Sequence, residues 1–429
     1  MLLMLFILLS LLFVKFPNVV EQNHGGKYPV YNINTGIGYD TIQAAIDAPE
    51  TSDGNSIAVG PGIFHEHLVL RKAVFLIGYG WQNTILDGNG SGTVVSIESS
   101  VSIDNFTIEN GSIGIAVESS SNGRIVNSTV QLNEEAIQFF DSNNWTISEN
   151  SMTNNYDSSL IMNDSDNNMI DDNTVSYNYL YIHDAIDLYN SSFNDVSDNS
   201  LIDNQGIGVV LGDDSSYNNI SRNLFMNDLG GIDLVGSCNY NMIERNSIIA
   251  NETTVGLPSS IWIRQSQFNT VYANEITSNR TSPLYEPPYE DGIGLSESTN
   301  NIIVSNNISL MDTGVGFHYS CENNSVVGNT IVRNGHGVDF TEGVCDGNMI
   351  YSNNIIQNTE QVYIGSSTNT WDDGYPIGGN YWSDYETRYP NATEIGSSGI
   401  WNTPYVINAN NTDRYPLISP ITQIPTVNS

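Results

Sequence analysis

An asparagine returns in one phase ten times along this chain, at Asn127, Asn150, Asn173, Asn199, Asn223, Asn246, Asn274, Asn306, Asn329 and Asn353. All but one of the intervals lie between 23 and 28 residues, and the exception is 32. A repeat of that length cannot bury its apolar side chains alone, so it must stack on its neighbours. The rest of each coil keeps step. An apolar residue lies three positions before the asparagine (Ile147, Ile170, Val196, Ile220) and another two positions after it (Met152, Val175, Leu201, Phe225). The local pattern is alternation, which predicts short strands. Eight residues before the asparagine stands only Ser or Cys, from Ser119 through Ser142, Ser165, Ser191, Ser215, Cys238, Ser266, Ser298 and Cys321 to Cys345. A second asparagine set, Asn155, Asn178, Asn204, Asn251, Asn279, Asn334 and Asn358, follows five residues after the first. Coils about 4.8 Å apart let identical amides bond to one another while satisfying backbone groups at a bend. The fold class is all-β: a right-handed parallel β-helix solenoid.

The ten phased coils imply a rod of roughly 50 Å before its caps. At 39 % hydrophobic residues the chain fills a long narrow core, and the outer face is left to carry function. The charge is −36, from 12 Lys and Arg against 48 Asp and Glu, with no basic cluster, which argues against nucleic acid and anionic membrane as partners. The three cysteines all fall on the Ser/Cys positions, where they read as small stacked residues; Cys321 and Cys345 lie in adjacent coils, near enough for a disulfide.

Met1 to Val14 is an apolar run shorter than the roughly 20 residues of a spanning helix, and reads as a secretory signal, with an uncleaved anchor as the alternative. No membrane span is expected in the mature protein. Sequons such as Asn89, Asn105, Asn144, Asn307 and Asn391 fit an exported surface, extracellular or at the cell surface, or periplasmic in a two-membrane bacterium. Four regions follow: 1–24, signal or anchor; 25–110, amino-terminal cap and first coils; 111–368, repeat coils; 369–429, an aromatic carboxy-terminal cap on Trp371, Tyr381, Trp382 and Tyr385. A short amphipathic helix is expected over Tyr39–Ala48, capped by Asp40 or Thr41, with Ile42, Ala45 and Ile46 on its buried face. It would cover the open end of the first coil.

The cap YDTIQAAIDAPETSDGNSIAVGPGIFHEHLVL, the following VFLIGYGWQNTILDGNG, the coils and the tail WDDGYPIGGNYWSDY with NTPYVI and DRYPL together resemble the NosD-like family of right-handed β-helix proteins, of the carbohydrate-binding and sugar-hydrolase type. The resemblance covers roughly residues 39 to 418. It implies a copper-delivery role, for which the one histidine pair in a single strand region is His65 and His67. The family's tail often carries an acidic calcium-like loop. Here that stretch reads Glu394 to Asn402 and is nearly stripped of carboxylates, leaving Asp372, Asp373, Asp384 and Asp413 as candidate oxygen ligands for calcium.

Three coils carry insertions at one phase: Tyr179 to Asp184, Glu252 to Ser260 and Arg280 to Glu290. Stacking brings these to one side of the rod as a loop-walled surface. Tyr179, Tyr181, Trp262, Tyr285, Glu286, Tyr289, Glu290 and Asp291 are the glycan-binding candidates there, since aromatic faces stack on sugar C–H faces and carboxylates accept hydroxyls. The competing expectation is a solvated loop surface.

Outward acids on Gly-Ile-Asp-Leu-like strands, Asp187, Asp233 and Asp339, suit acid–base chemistry, and of these only Asp187 has a histidine nearby in sequence; His183, Asp184 and Asp187 are the catalytic candidates. Asp213-Asp214 and Gly335-His336-Gly337 echo polygalacturonase strings. They stand 122 residues apart, about five coils, too far to flank one glycosidic bond. The sequence thus reads as an exported structural and glycan-binding β-helix. A polysaccharide lyase, epimerase or hydrolase is the alternative, a copper-binding maturation factor the third reading, and lateral self-association of the rods remains open.

Overall fold

In the computed structural model, the described residues are 28–179, 184–250, 259–279 and 290–422. They wind into three long sheets of 15, 14 and 13 strands, in which each strand from Ser56–Val59 onward pairs in parallel with the strand one coil along. The register follows the apolar phase: Ile147 pairs with Ile170 in the first sheet, Met152 with Val175 in the second, and Met162 with Leu188 in the third. All of these side chains are buried in one continuous core. The third sheet has 13 strands where ten phased coils were expected, because the first coils stack without the asparagine.

The amino-terminal cap follows the sequence. A helix, Ile42–Asp47, starts at Thr41, whose hydroxyl accepts the Ala44 N–H, and buries Ile42, Ala45 and Ile46. Beside it the strand Val30–Asn32 pairs antiparallel with Ser56–Val59, ending the parallel ladder at that edge.

The asparagine ladder runs unbroken from Asn150 through Asn173, Asn199, Asn223, Asn246, Asn274, Asn306, Asn329 and Asn353 to Asn380. At a typical rung the Asn246 Oδ1 accepts both the backbone N–H (2.9 Å) and the side-chain amide (3.0 Å) of Asn223, while its own Nδ2 donates to Asn274 (3.0 Å) and to the Ile220 carbonyl (2.9 Å). Each amide therefore satisfies backbone groups at a corner where the sheet ladder is interrupted.

Two expected members drop out. Ile125 pairs with Ile147, so the first rung opposite Asn150 is Ser128, and Asn127 lies one residue aside in a left-handed turn. The Ser/Cys row likewise begins at Ser120, whose N–H donates to Ser142 Oγ, and Ser119 is exposed. A third ladder, from Asn168 through Asn194, Asn218, Asn241, Asn269, Asn301, Asn324 and Asn348 to Asn369, runs five residues before the first; the sequence reading did not extract it. The cysteines are free buried thiols in the Ser/Cys row, and the Cys321 N–H donates to Cys345 Sγ.

The second ladder contains one acid. Asp228 Oδ1 accepts the Asn204 N–H and Nδ2 at 2.8 and 2.9 Å, as an asparagine would, while its buried Oδ2 meets no partner among the described residues. Burial pushes this carboxyl up to about 7, against the bonds from Asn204.

The carboxy-terminal tail closes the ladders. Asn411 accepts from the Asn369 N–H and the Trp371 indole, and Asp413 accepts from the Asn380 N–H and the Trp382 indole, both at 2.8 Å. Gly379 is required there, because a Cβ would come within 1.9 Å of Asp413 Oδ1. Asp372, a candidate calcium ligand, instead holds Arg414 through two side-chain bonds of 3.0 and 2.7 Å and accepts two backbone N–H groups. Asp384 accepts the Tyr405 hydroxyl at 3.0 Å. These carboxylates hold the cap together.

An aromatic row, Phe193, Tyr217, Tyr240 and Phe268, occupies a left-handed turn position where neighbouring coils place Asn167 and Asn300. Its rings stack on one another at 5.0 to 5.1 Å and are exposed at their edges. Their faces are occupied by each other, so the inner rings have none free for a sugar, and the row is a structural ladder.

Candidate functional site

The three insertions all enter the third sheet. They precede the strands Ile186–Tyr189, Ile261–Arg264 and Asp291–Ser296, as the common phase predicted. In this sheet the apolar residues point inward and the intervening ones form outward rows. One row runs in register through Asp187, Val210, Asp233, Trp262, Gly294, Gly316, Asp339 and Tyr363. Its eight rungs extend about 34 Å along the rod. The row beside it carries Tyr189, Gly212, Val235, Arg264, Ser296 and His318.

These outward acids are not solvated. Asp187, Asp233 and Asp339 are 0, 2 and 2 % exposed, and Asp291 is buried at the edge of the same face. Asp233, Asp291 and Asp339 each carry a basic partner. Asp233 forms a two-point ion pair with Arg264, whose guanidinium lies 4.9 Å above the Trp262 ring. Asp291 Oδ2 bonds His318 Nε2 at 2.7 Å, and Asp339 Oδ2 bonds His336 Nδ1 at 2.7 Å.

Glycine makes the second pairing feasible. A Cβ on Gly316 would come within 2.5 Å of the Asp291 carboxylate, and one on Gly294 within 2.8 Å, so the Gly-x-Gly strands open the notch that this side chain crosses. A register shift in the strand His336–Glu342 sets Glu342, rather than Thr341, opposite His318, and Glu342 reaches the other ring nitrogen at 3.4 Å. Bulges re-aim side chains in this way beside functional sites. His336 is likewise held between two carboxylates, with Glu360 3.8 Å from Nε2, and its ring stacks on Tyr363 at 5.0 Å.

Each histidine thus has a carboxylate on both nitrogens. Burial opposes charge on His318, yet Asp291, with Glu342 and Asp339, lifts it to about 9, so the ring is an imidazolium near neutral pH. The bond to Asp339 raises His336 against its burial, with Glu360 and Asp291 adding to the shift. Burial raises Asp187 to about 7, reinforced by the charge of Asp184, and burial also raises Asp233, opposed by Arg264. The site therefore has two layers: buried aspartates that hold the cations, and an outer layer of Arg264, His318, Glu342, Glu360 and Tyr363 that reaches the surface.

Among the sequence candidates, Asp184, Asp187, Trp262, Glu290 and Asp291 come together along this face or at its edge. Tyr179 does not; it stacks on Tyr156 and lines a separate open depression with Leu132, Asn154 and Gln205. Tyr181, His183, Tyr285, Glu286 and Tyr289 lie outside the described residues. The expectation that only Asp187 has a nearby histidine is corrected by Asp339 with His336 and by Asp291 with His318. Asp213 and Asp214 sit on an exposed turn after the strand Ile207–Gly212, away from His336 by several rungs, as their spacing implied. The missed residues carried a signal: written one under another, Asp291-Gly-Ile-Gly-Leu, Thr313-Gly-Val-Gly-Phe-His318 and His336-Gly-Val-Asp339-Phe share one phase.

Residues 91–248 match the family model described as the right-handed β-helix region, and residues 230–387 match that of the periplasmic copper-binding protein (NosD) family. A 106-residue stretch is 35 % identical to a cell surface glycoprotein of Methanothermus fervidus; it spans 25 % of this chain and only 18 % of that protein's length. Among solved structures, the A-module of a mannuronan C-5 epimerase of Azotobacter vinelandii superposes with a TM-score of 0.57 at 17 % identity, covering 82 % of this chain and 97 % of that one. A DFA-IIIase of Arthrobacter chlorophenolicus gives 0.55 at 15 % identity over 67 % and 86 %, and the catalytic domain of a GH87 alpha-1,3-glucanase gives 0.53 at 12 % over 76 % and 65 %. These likenesses establish the β-helix fold.

The described residues do not assemble a site for the copper that the NosD description implies: His65 and His67 stand without a third ligand beside them, and both nitrogens of His318 and of His336 are taken by carboxylates. The thiols are buried in the Ser/Cys row, and no group of three or more His, Cys, Asp or Glu among the described residues is arranged to hold a metal ion. No helix among the described residues is long and apolar enough to cross a membrane.

Proposed function

For a right-handed β-helix in which residues 230–387 match the NosD model, we propose that the outward face of the third sheet binds a polysaccharide strand outside the cytoplasm. The observation that carries this reading is the line of buried, ion-paired aspartates on an outward face, at the corner where three coils are lengthened. Burying charge is costly and is retained where it fixes the geometry of other groups. Here the fixed groups are Arg264, His318 and His336, with the Trp262 and Tyr363 rings between and beside them. Aromatic rings take the C–H faces of sugars, and the exposed carboxylates of Glu342 and Glu360 accept hydroxyls, on a face long enough for a polymer. The cell surface glycoprotein relative supports a location at or beyond the cell surface.

Turnover is the second reading, favoured by the two histidine–carboxylate pairs in neighbouring coils. Glu342, half exposed beside Nδ1 of His318, is the group that can take a proton from a sugar hydroxyl, with the imidazolium behind it offsetting the charge.

Retention of the full chain on insoluble polysaccharides tests the proposal. A Trp262→Ala, Tyr363→Ala variant is expected to lose at least about tenfold in affinity while keeping its melting temperature, because such stacking contacts are worth ~1 kcal/mol each. Equal retention of the variant, or no retention of the parent on any polysaccharide, sinks the reading. Release of new reducing ends by the parent, lost in His318→Gln with binding kept, would establish turnover.

A further inference from the structure

Resting on the proposed polysaccharide site, we infer that its ligand is a neutral, hydroxyl-rich polysaccharide and that the face rejects polyuronates. The inference comes from how the charges on this face are matched. The cations along the described rows are Arg264, His318 and His336, and each is already committed to a buried aspartate: Asp233, Asp291 and Asp339 respectively. Those bonds are short and their acids are sequestered from water, so a carboxylate arriving from solvent cannot displace them without leaving a buried charge behind. Each cation on the described part of the face is thus already neutralised by a buried aspartate.

The acids, by contrast, are in excess. Glu342 and Glu360 stand at the outer layer, 51 and 44 % exposed, on the far nitrogens of the two histidines. A polyuronate carries one carboxylate per sugar, and laying it along this face would set like charges within a few ångströms at successive rungs. At such a distance each like-charge contact weakens binding, and more strongly where the local dielectric is low. Sugar hydroxyls are donors, and carboxylates held in place by imidazolium rings are ready acceptors for them. The same surface that repels a polyanion is therefore matched to a neutral chain, and its affinity should depend little on salt.

The likeness to a mannuronan epimerase module, at 17 % identity, extends to the fold and does not assign its ligand here.

The experiment is affinity electrophoresis of the full chain in gels carrying neutral polysaccharides (β-glucans, α-glucans, mannans) or polyuronates (alginate, polygalacturonate), each with chelator and with added calcium. Retardation by at least one neutral polymer, unchanged between low salt and about 0.15 M, with at least tenfold weaker retardation by both polyuronates, is expected. Glu342→Gln with Glu360→Gln should then narrow the gap at least threefold by easing the repulsion of the polyuronates. Retardation by a polyuronate as strong as by any neutral polymer, with or without calcium, overturns the inference while leaving the polysaccharide site standing. Absence of retardation by every polymer overturns the site itself.

Discussion

Asn246→Leu, nearly isosteric and placed in the middle of the longest ladder, should lower stability by about 4 kcal/mol. The substitution removes the acceptor of the Asn223 N–H and amide, and the donor to the Ile220 carbonyl, so three buried polar groups lose partners at once. Each orphaned group costs roughly 1 to 3 kcal/mol. In a solenoid stability is a sum of rung and interface terms, so the loss will break cooperativity at that coil before it unfolds the whole rod. Urea unfolding followed by tryptophan fluorescence and by far-ultraviolet circular dichroism checks it. The expected result is an early transition by circular dichroism while the carboxy-terminal Trp371 and Trp382 signal persists. A variant that unfolds with the parent would mean that the ladder amides are dispensable to the fold.

Asp228→Asn should do the opposite, and only at high pH. In the ladder, the position of Asp228 Oδ2 belongs to an amide nitrogen that donates to a backbone carbonyl, as Asn204 Nδ2 does to Val175. An oxygen placed there satisfies a carbonyl only if it carries the proton. The folded pKa, about 7, lies above the ordinary value of 3.8, chiefly through burial and with Asp203 contributing. Below about pH 4 the folded and unfolded forms are both protonated and this group's contribution is complete; it is lost as pH rises through 7, where the folded carboxyl must ionise in place. At pH 8 the asparagine variant should therefore exceed the parent by up to about 4 kcal/mol, three pKa units at ~1.4 kcal/mol each, and at pH 4 the two should match. Asp187 and Asp413 are also raised to about 7, so the parent's full pH dependence is shared; the difference between variant and parent isolates this one rung. Melting curves from pH 4 to pH 9 decide it, and a difference that does not grow with pH contradicts the assignment of the proton.

The fold was legible because a β-helix writes its register into the chain. Every coil needs an amide at the same corner, and that constraint survives coil lengths that vary from 22 residues between Ile125 and Ile147 to 32 between Val271 and Ile303. The same variation explains the errors. Asn127 matched the period yet belongs to the turn beside the rung, since its coil is one residue shorter than the spacing suggested.

The site was harder to read because its bonds run between coils. Asp291 and His318 are 27 residues apart and meet only through two glycine rungs, and the partnership of Glu342 with His318 depends on a register shift that no periodic pattern encodes. His336 and Asp339 are three apart and were in view throughout. The polygalacturonase-like string directs attention from that histidine to the distant Asp213 and Asp214, whereas its partner stands on its own strand. The aromatic candidates on the inserted segments rested on composition alone, whereas Trp262 could be placed because it falls on a strand with a fixed outward phase.

Hydrogen–deuterium exchange of the full chain, with and without the polysaccharide that retains it best, tests the central claim most directly. Protection confined to the third-sheet strands from Ile186–Tyr189 through Glu360–Ile364, and to the inserted segments before them, is the result this account requires. Protection on the first or second sheet with the third unchanged would place the polysaccharide elsewhere and contradict it.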